Sequence, residues 1–148
     1  QNGRGSLTTV YADRAAMERG ARALGSAFQK INFLRDLSED SSTLGRTYFQ
    51  QAPSGRIDET SKSALIAEIR RELATAALTI DLLPASARVG VSAAADIFAE
   101  LTNRLAATPA TALATTRVSV PNHTKAWLAA RAVRRRGHSS RTSATAEN

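Results

Sequence analysis

Four polar side chains, Gln29, Asn32, Asp36 and Asp40, recur at intervals of three, four and four residues. At about 100° per residue they share, together with Gly25, one arc of roughly 80° on a helix. Leu24, Ala27, Phe28, Ile31, Phe33, Leu34 and Leu37 occupy most of the remaining circumference, so the helix is expected to be buried. Carboxylates taken into an apolar interior need cations. Two readings of the stripe stand side by side. In one, Asp36 and Asp40 end the helix near solvent or pair with arginines of a neighbouring helix, although an aspartate near a helix C-terminus opposes the macrodipole. In the other, the stripe faces a cavity. Carboxylates one turn apart then hold Mg²⁺, which takes few protein ligands and shares its shell with water and substrate phosphates. Gly25 on the same face would leave room for that substrate.

The elements that position this stripe are all helical. Alanine accounts for 29 residues, no sustained apolar/polar alternation occurs, and the predicted class is all-α. The first helix is expected over Tyr11–Asp40, capped by Thr8 or Thr9, followed by a loop over Ser41–Asp58 marked by Gly45, Pro53 and Gly55. A second helix is predicted over Glu59–Leu83 from the spacing of Leu65, Ile66, Ile69, Leu73, Ala76 and Ile80, with Pro84 as its stop. A third is predicted over Ser86–Ala107, a short one over Ala110–Thr116, and a last one over Asn122–Arg136, closed by Gly137. In domain terms, residues 1–10 are expected to be a disordered or truncated start, 11–136 the folded part and 137–148 a disordered basic tail.

Composition excludes several kinds of chemistry. Cysteine is absent from the 148 residues, which removes disulfides, thiolate metal sites and cysteine nucleophiles, and two histidines are too few for a His-rich zinc site. No run of about 18 apolar residues is present to form a membrane span. The net charge of +7 is uneven: residues 117–148 carry seven basic residues and one acidic residue, leaving +1 for the rest. A solvated helix end accounts for Arg131, Arg134, Arg135, Arg136 and Arg141, with anionic lipid or RNA as the alternative partner. On the last helix, His123 is expected at the helix entry and Trp127 in the core.

The string GSAFQKINFLRDLSED, with GRTYF beyond it, resembles the second aspartate-rich motif of the squalene/phytoene synthase family. That pattern runs small-x-A-x-Q-x-x-N-x-x-R-D-x-x-E-D and then G-R-x-Y, and it is met at Gln29, Asn32, Arg35, Asp36, Glu39, Asp40, Gly45, Arg46 and Tyr48. The stretch RVSVPNHTK, Arg117 to Lys125, is similar to the family's C-terminal R-V-x-V…K segment. Bacterial phytoene synthases look closest. The resemblance implies the C-terminal part of an isoprenoid-synthase helical bundle, in which two prenyl diphosphates are joined head to head. Diphosphate departure leaves an allylic cation, which is trapped as a cyclopropyl diphosphate and rearranged. It further implies Asp36 and Asp40 as Mg²⁺-binding catalytic aspartates, with Mn²⁺ as the substitute metal, and Asn32 as a metal or diphosphate contact. Gln29 would line the site, Arg35 would contact phosphate or brace Glu39 one turn on, and Arg46 and Tyr48 would close over the diphosphate.

Some features depart from that pattern. Upstream of Gln29 the only acidic residues are Asp13 and Glu18, so the first aspartate-rich motif is missing. The chain opens at Gln1, and the expectation is half of a longer synthase, inactive alone. The interval from Asp40 to Arg46 is one residue longer than the family's usual spacing, Gln50 stands in place of a proline, and Phe98 stands where many members carry tyrosine. The function expected is condensation of two geranylgeranyl diphosphates into phytoene, a step of carotenoid biosynthesis. The alternatives are a squalene- or dehydrosqualene-type enzyme using farnesyl diphosphate, and a non-catalytic helical module with a basic tail for membrane or RNA. For the synthase, the expected partners are prenyl diphosphates and a peripheral membrane contact, with no nucleic acid and an open oligomeric state. The expected location is cytoplasmic, at the inner face of the membrane.

Overall fold

The computed structural model describes the backbone of residues 3–37 and 57–142 and the side chains of 12–37 and 57–135. Five α-helices run in the order α1 (Gly3–Asp36), α2 (Glu59–Ala77), α3 (Ala85–Ala107), α4 (Ala110–Leu113) and α5 (Asn122–Thr142), with a 3₁₀ turn at Ile80–Leu82. Among the described residues there is no strand. The all-α class holds.

Helix α1 lays Ala27, Ile31 and Leu34, one apolar residue per turn, against Leu65, Ile66 and Ile69 of α2. Helix α3 closes this core with Leu101 and Leu105 and carries α5 on another of its faces, where Leu128 and Ala132 are buried. The α1 expectation needs correction. The helix is not buried all round: Gly25, Phe28 and Gln29 are exposed, because α2 and α3 cover one side and the stripe looks outward.

The boundaries also differ. Helix α1 begins at Gly3, not near Tyr11, so Thr8 and Thr9 lie inside it instead of capping it. A helix already propagating needs no cap there, and residues 6–11 contain no breaker. Helix α5 likewise continues through Gly137 to Thr142, since one glycine costs a helix only about 1 kcal/mol. The short helix α4 stops at Leu113, three residues before Thr116.

Helix α2 starts where Asp58 caps it, its carboxylate accepting from Ser61 N at 2.7 Å. That backbone bond holds the Asp58 carboxyl below the ordinary carboxylate range. The helix ends at Ala77, six residues before the expected Leu83. At that end the Thr79 hydroxyl donates to Ala76 O at 2.9 Å, and the chain tightens into the 3₁₀ turn.

Thr79 sits against Gly20 of α1. A Cβ at Gly20 would overlap Thr79 Oγ1 and lie 2.9 Å from Thr79 Cβ, whereas a Cβ at Gly25 meets nothing within 4 Å. Thr79 is tied by its own hydrogen bond, so α1 itself would have to move. Gly20→Ala is expected to cost about 1–3 kcal/mol from overpacking. Gly25→Ala should instead gain about 1 kcal/mol from helix propensity. Thermal melts of the two variants check this, and equal melting temperatures would show that the Gly20–Thr79 contact yields freely.

A buried lysine joins three elements. Lys62 is 2% exposed, and its ammonium donates to Ala106 O at 3.2 Å and Thr108 O at 2.6 Å, satisfying carbonyls at the end of α3. Glu59 lies 2.6 Å from the same ammonium and accepts from Ala110 N at 2.9 Å, at the start of α4. The Lys62 hydrogen bond, then the Ala110 amide, hold the Glu59 carboxyl below its ordinary value. Lys62→Met leaves these acceptors without their donor. It is expected to lose about 1–3 kcal/mol, the cost of leaving buried carbonyls without their donor, because Glu59 is exposed enough to rehydrate. Urea unfolding measures it; a loss below about 0.5 kcal/mol, the size typical of a surface change, would mean the junction holds without the ammonium.

Candidate functional site

The outward face of α1 carries the stripe. Gln29 is exposed, and Asn32 and Asp36 are half-buried, one helical turn apart. Neither amide side chain hydrogen-bonds to another described residue, so both present free donors and acceptors along this face. Glu39, Asp40, Gly45, Arg46, Tyr48 and Gln50 lie outside the described residues.

Among the described residues Asp36 has two cationic neighbours. Its Oδ1 is 3.5 Å from Arg35 Nε and 3.5 Å from an Arg117 guanidinium nitrogen. Pairing with an arginine, one of the two readings left open in the sequence, is therefore present. The arginine comes from the segment between α4 and α5, not from a helix. At 41% exposure for Asp36 and 49% for Arg117, such a pair is worth about 0–1 kcal/mol. So weak a pair is readily exchanged for a stronger ligand. Arg35 leans on Asp36 here.

An apolar surface borders the stripe. Phe28, one position before Gln29, is 44% exposed and packs its ring on Phe98 of α3, with centroids 5.2 Å apart and planes tilted by 37°. The expected loss of a tyrosine hydroxyl at position 98 thus leaves an all-aromatic, all-apolar pair.

The rotation of α1 about its own axis decides that the stripe faces outward, and a polar cluster fixes that rotation. Lys30 is buried about 100° around the helix from Gln29. Its ammonium reaches Glu68 at 2.7 Å, Glu72 at 2.5 Å and Ser26 Oγ at 3.1 Å, and Ser26 donates to Glu72 at 2.8 Å. Burial alone would lower the Lys30 pKa, but Glu68 and Glu72 outweigh it and hold the ammonium above its ordinary value. Lys30 and Lys62 stand outside the motifs named from the sequence, and Arg117 enters there only as the first residue of the RVSVPNHTK stretch, without a role. A signal existed for each lysine. Lys62 falls in the apolar series of Leu65, Ile66, Ile69 and Leu73, and Lys30 falls between Ala27 and Ile31 while Glu68 and Glu72 sit one turn apart on the partner helix.

Trp127 corrects another expectation. It is 57% exposed and not in the core, with the Arg131 guanidinium 4.9 Å above its ring. Helix α5 turns Leu128 and Ala132 inward, and these take its buried positions. Arg135 donates to Asp96 at 3.0 Å and Ser92 at 2.9 Å, and Arg131 reaches Asp96 at 3.5 Å. Part of the basic end therefore clamps α5 to α3. His123 stands exposed in the first turn, as expected.

An all-α bundle whose open face sets amides, a carboxylate and arginines beside aromatic surface is a helical protein of the isoprenoid-synthase type. The family model for squalene/phytoene synthase matches residues 3–124, and the chain belongs to that family. Its members are transferases of isoprenoid biosynthesis that join prenyl units head to head. No curated protein and no solved structure matches the chain.

Proposed function

We propose that this chain contributes the second aspartate-rich face of a phytoene-type synthase, which condenses two geranylgeranyl diphosphates. The observation that carries the reading is one juxtaposition. Asp36 and the guanidinium of Arg117 meet at 3.5 Å on an open helix face that also bears Asn32 and Gln29. Anion and cation, set beside unpaired amides, suit a metal diphosphate, in which both charges are present.

The donor types fit Mg²⁺. Asp36 and Asn32 offer hard oxygens, and Mg²⁺ is bound through one or two carboxylates with water and phosphate oxygens completing its octahedron. Among the described residues no three His, Cys, Asp or Glu side chains cluster. Asp40, four residues on, would be the second carboxylate. When bound, Mg²⁺ or Mn²⁺ would neutralise the charge that accumulates on the departing diphosphate. Arg117 and Arg35 would supply positive charge to the same oxygens, the part the family motif also gives to Arg46 and Tyr48. Gln29 would offer its free amide along the lining. Phe28 and Phe98 give the prenyl chain an apolar floor that holds water away from the allylic carbons.

The test is turnover of geranylgeranyl diphosphate against farnesyl diphosphate, with and without Mg²⁺, read as pyrophosphate release and hydrocarbon product. Geranylgeranyl diphosphate is expected to win by at least about tenfold, a difference of about 1.4 kcal/mol between transition states. Preference for the farnesyl substrate would make the enzyme squalene- or dehydrosqualene-type. Release from neither, in a preparation containing both aspartate-rich motifs, would overturn the assignment.

A further inference from the structure

Arg117 reaches Asp36 from the connection between α3 and α5, and a carboxylate of α2 holds the start of that connection. Helix α4 opens it with only four residues, and helices shorter than about 12–15 residues do not hold themselves together in water. Its N-cap, Pro109, has no side chain to accept from the first amide. Glu59 takes that place from α2, accepting from Ala110 N at 2.9 Å. The Glu59 side chain is 61% exposed, yet it is anchored. The buried Lys62 ammonium lies 2.6 Å from it and is itself fixed by Ala106 O and Thr108 O.

From Ala110 the path to Arg117 is closed turn by turn. Leu113 is fully buried, Thr115 N and Thr116 N both donate back to Ala112 O at 3.1 Å and 2.9 Å, and Arg117 follows directly. Val120 is buried on the far side. Apolar burial is non-directional, so Leu113 could keep its place while the short turn rotates about it. The hydrogen bond from Ala110 N to Glu59 is directional and removes that freedom.

We infer that Glu59 is a positioning residue for diphosphate binding: by capping α4 from another helix it sets the Arg117 guanidinium beside Asp36. The inference rests on the reading of that face as the diphosphate site. Glu59 acts through Arg117 and needs no contact with substrate. Without its carboxylate the Ala110 amide loses its acceptor, α4 turns on Leu113, and Arg117 leaves the face for part of the time. A cation that holds the diphosphate before and during reaction acts on KM, while kcat at saturation stays.

Two measurements test this, one of them independent of catalysis. The chain has no cysteine, so paired nitroxide labels can be placed at Thr116→Cys and Ala21→Cys, both exposed positions. One narrow distance distribution is expected, which Glu59→Ala broadens or shifts at unchanged helicity. The fold survives this substitution because Asp58 caps α2 on its own. An unchanged distribution would overturn the inference. The second measurement uses a synthase carrying both aspartate-rich motifs, with Mg²⁺ and geranylgeranyl diphosphate, read as pyrophosphate release. Glu59→Ala is expected to raise KM about fivefold with kcat unchanged. On top of Arg117→Gln the same substitution should add less than about twofold, because its route is already cut. An unchanged KM, a fall in kcat alone, or the full rise on top of Arg117→Gln would each overturn it. If the unsubstituted synthase releases pyrophosphate from no prenyl diphosphate, the diphosphate reading has failed instead, and the label distances still report whether Glu59 places Arg117.

Discussion

In a synthase carrying both aspartate-rich motifs, replacing Asp36 with asparagine is expected to lower prenyl-diphosphate turnover by about a thousandfold while leaving the fold intact. The magnitude follows from the role. A group aimed at charge that develops in the transition state contributes about 10²–10³ in rate, and a ligand of the neutralising metal stands at the upper end. The fold survives because the side chain is 41% exposed and its pairs with Arg35 and Arg117 are long, at 3.5 Å. Asparagine keeps the size and one oxygen and removes the charge. Arg117→Gln separates two readings of the pair. If Arg117 serves only to hold Asp36, its loss frees the carboxylate, and the metal concentration for half-maximal rate falls. If it also meets the diphosphate, the substrate KM rises. Full turnover in Asp36→Asn at saturating Mg²⁺ would remove this residue from the metal assignment.

That face was legible in the sequence because its signal is local. Gln29, Asn32 and Asp36 are fixed by helical spacing alone, and the motif is a run of one helix. Arg117 lies 81 residues from Asp36 along the chain, and no local period couples them; only the packing of α3 and of the segment before α5 brings it there. Trp127 failed for the opposite reason. Its size and apolarity argue for burial, yet Leu128, one position on, takes the inward position and the period of the helix then excludes Trp127. The breadth of the apolar surface on α1 misled in the same way: counting residues around a wheel says how much can be buried, not how many neighbours arrive to bury it. The end of α2 at Ala77 was illegible because the apolar period continues through Ile80, while the Thr79 hydroxyl bond to Ala76 O and the 3₁₀ turn that follow it leave no mark in that period.

The second large effect is on stability. Lys30→Met is expected to destabilise the chain by about 3 kcal/mol, from the scale of breaking a buried ion pair on one side. For a chain of this size that is about 10 °C in melting temperature, at roughly 3 °C per kcal/mol. The lysine side chain is 10% exposed and Glu72 20%, so the two charges are shielded from water, while Glu68 at 47% is free to rehydrate. The cost therefore falls on Glu72. One of its oxygens, Oε2, is already buried without a hydrogen-bond partner, and loss of Lys30 would strand the other with Ser26 alone. The double variant Lys30→Met/Glu72→Leu removes both buried charges and is expected to recover most of the loss, since an apolar replacement of the whole pair is often neutral. The pH dependence has a definite sign. Because the folded-state pKa of Lys30 is raised, its contribution is complete below the ordinary lysine value of about 10.4 and is lost as pH rises through the higher folded value. Wild type should thus lose stability above pH of about 10.4 faster than Lys30→Met does. Coincident alkaline melting curves for the two would show that the cluster does not hold α1 in its rotation. The outward stripe would then have to be positioned by Ala27, Ile31 and Leu34 alone.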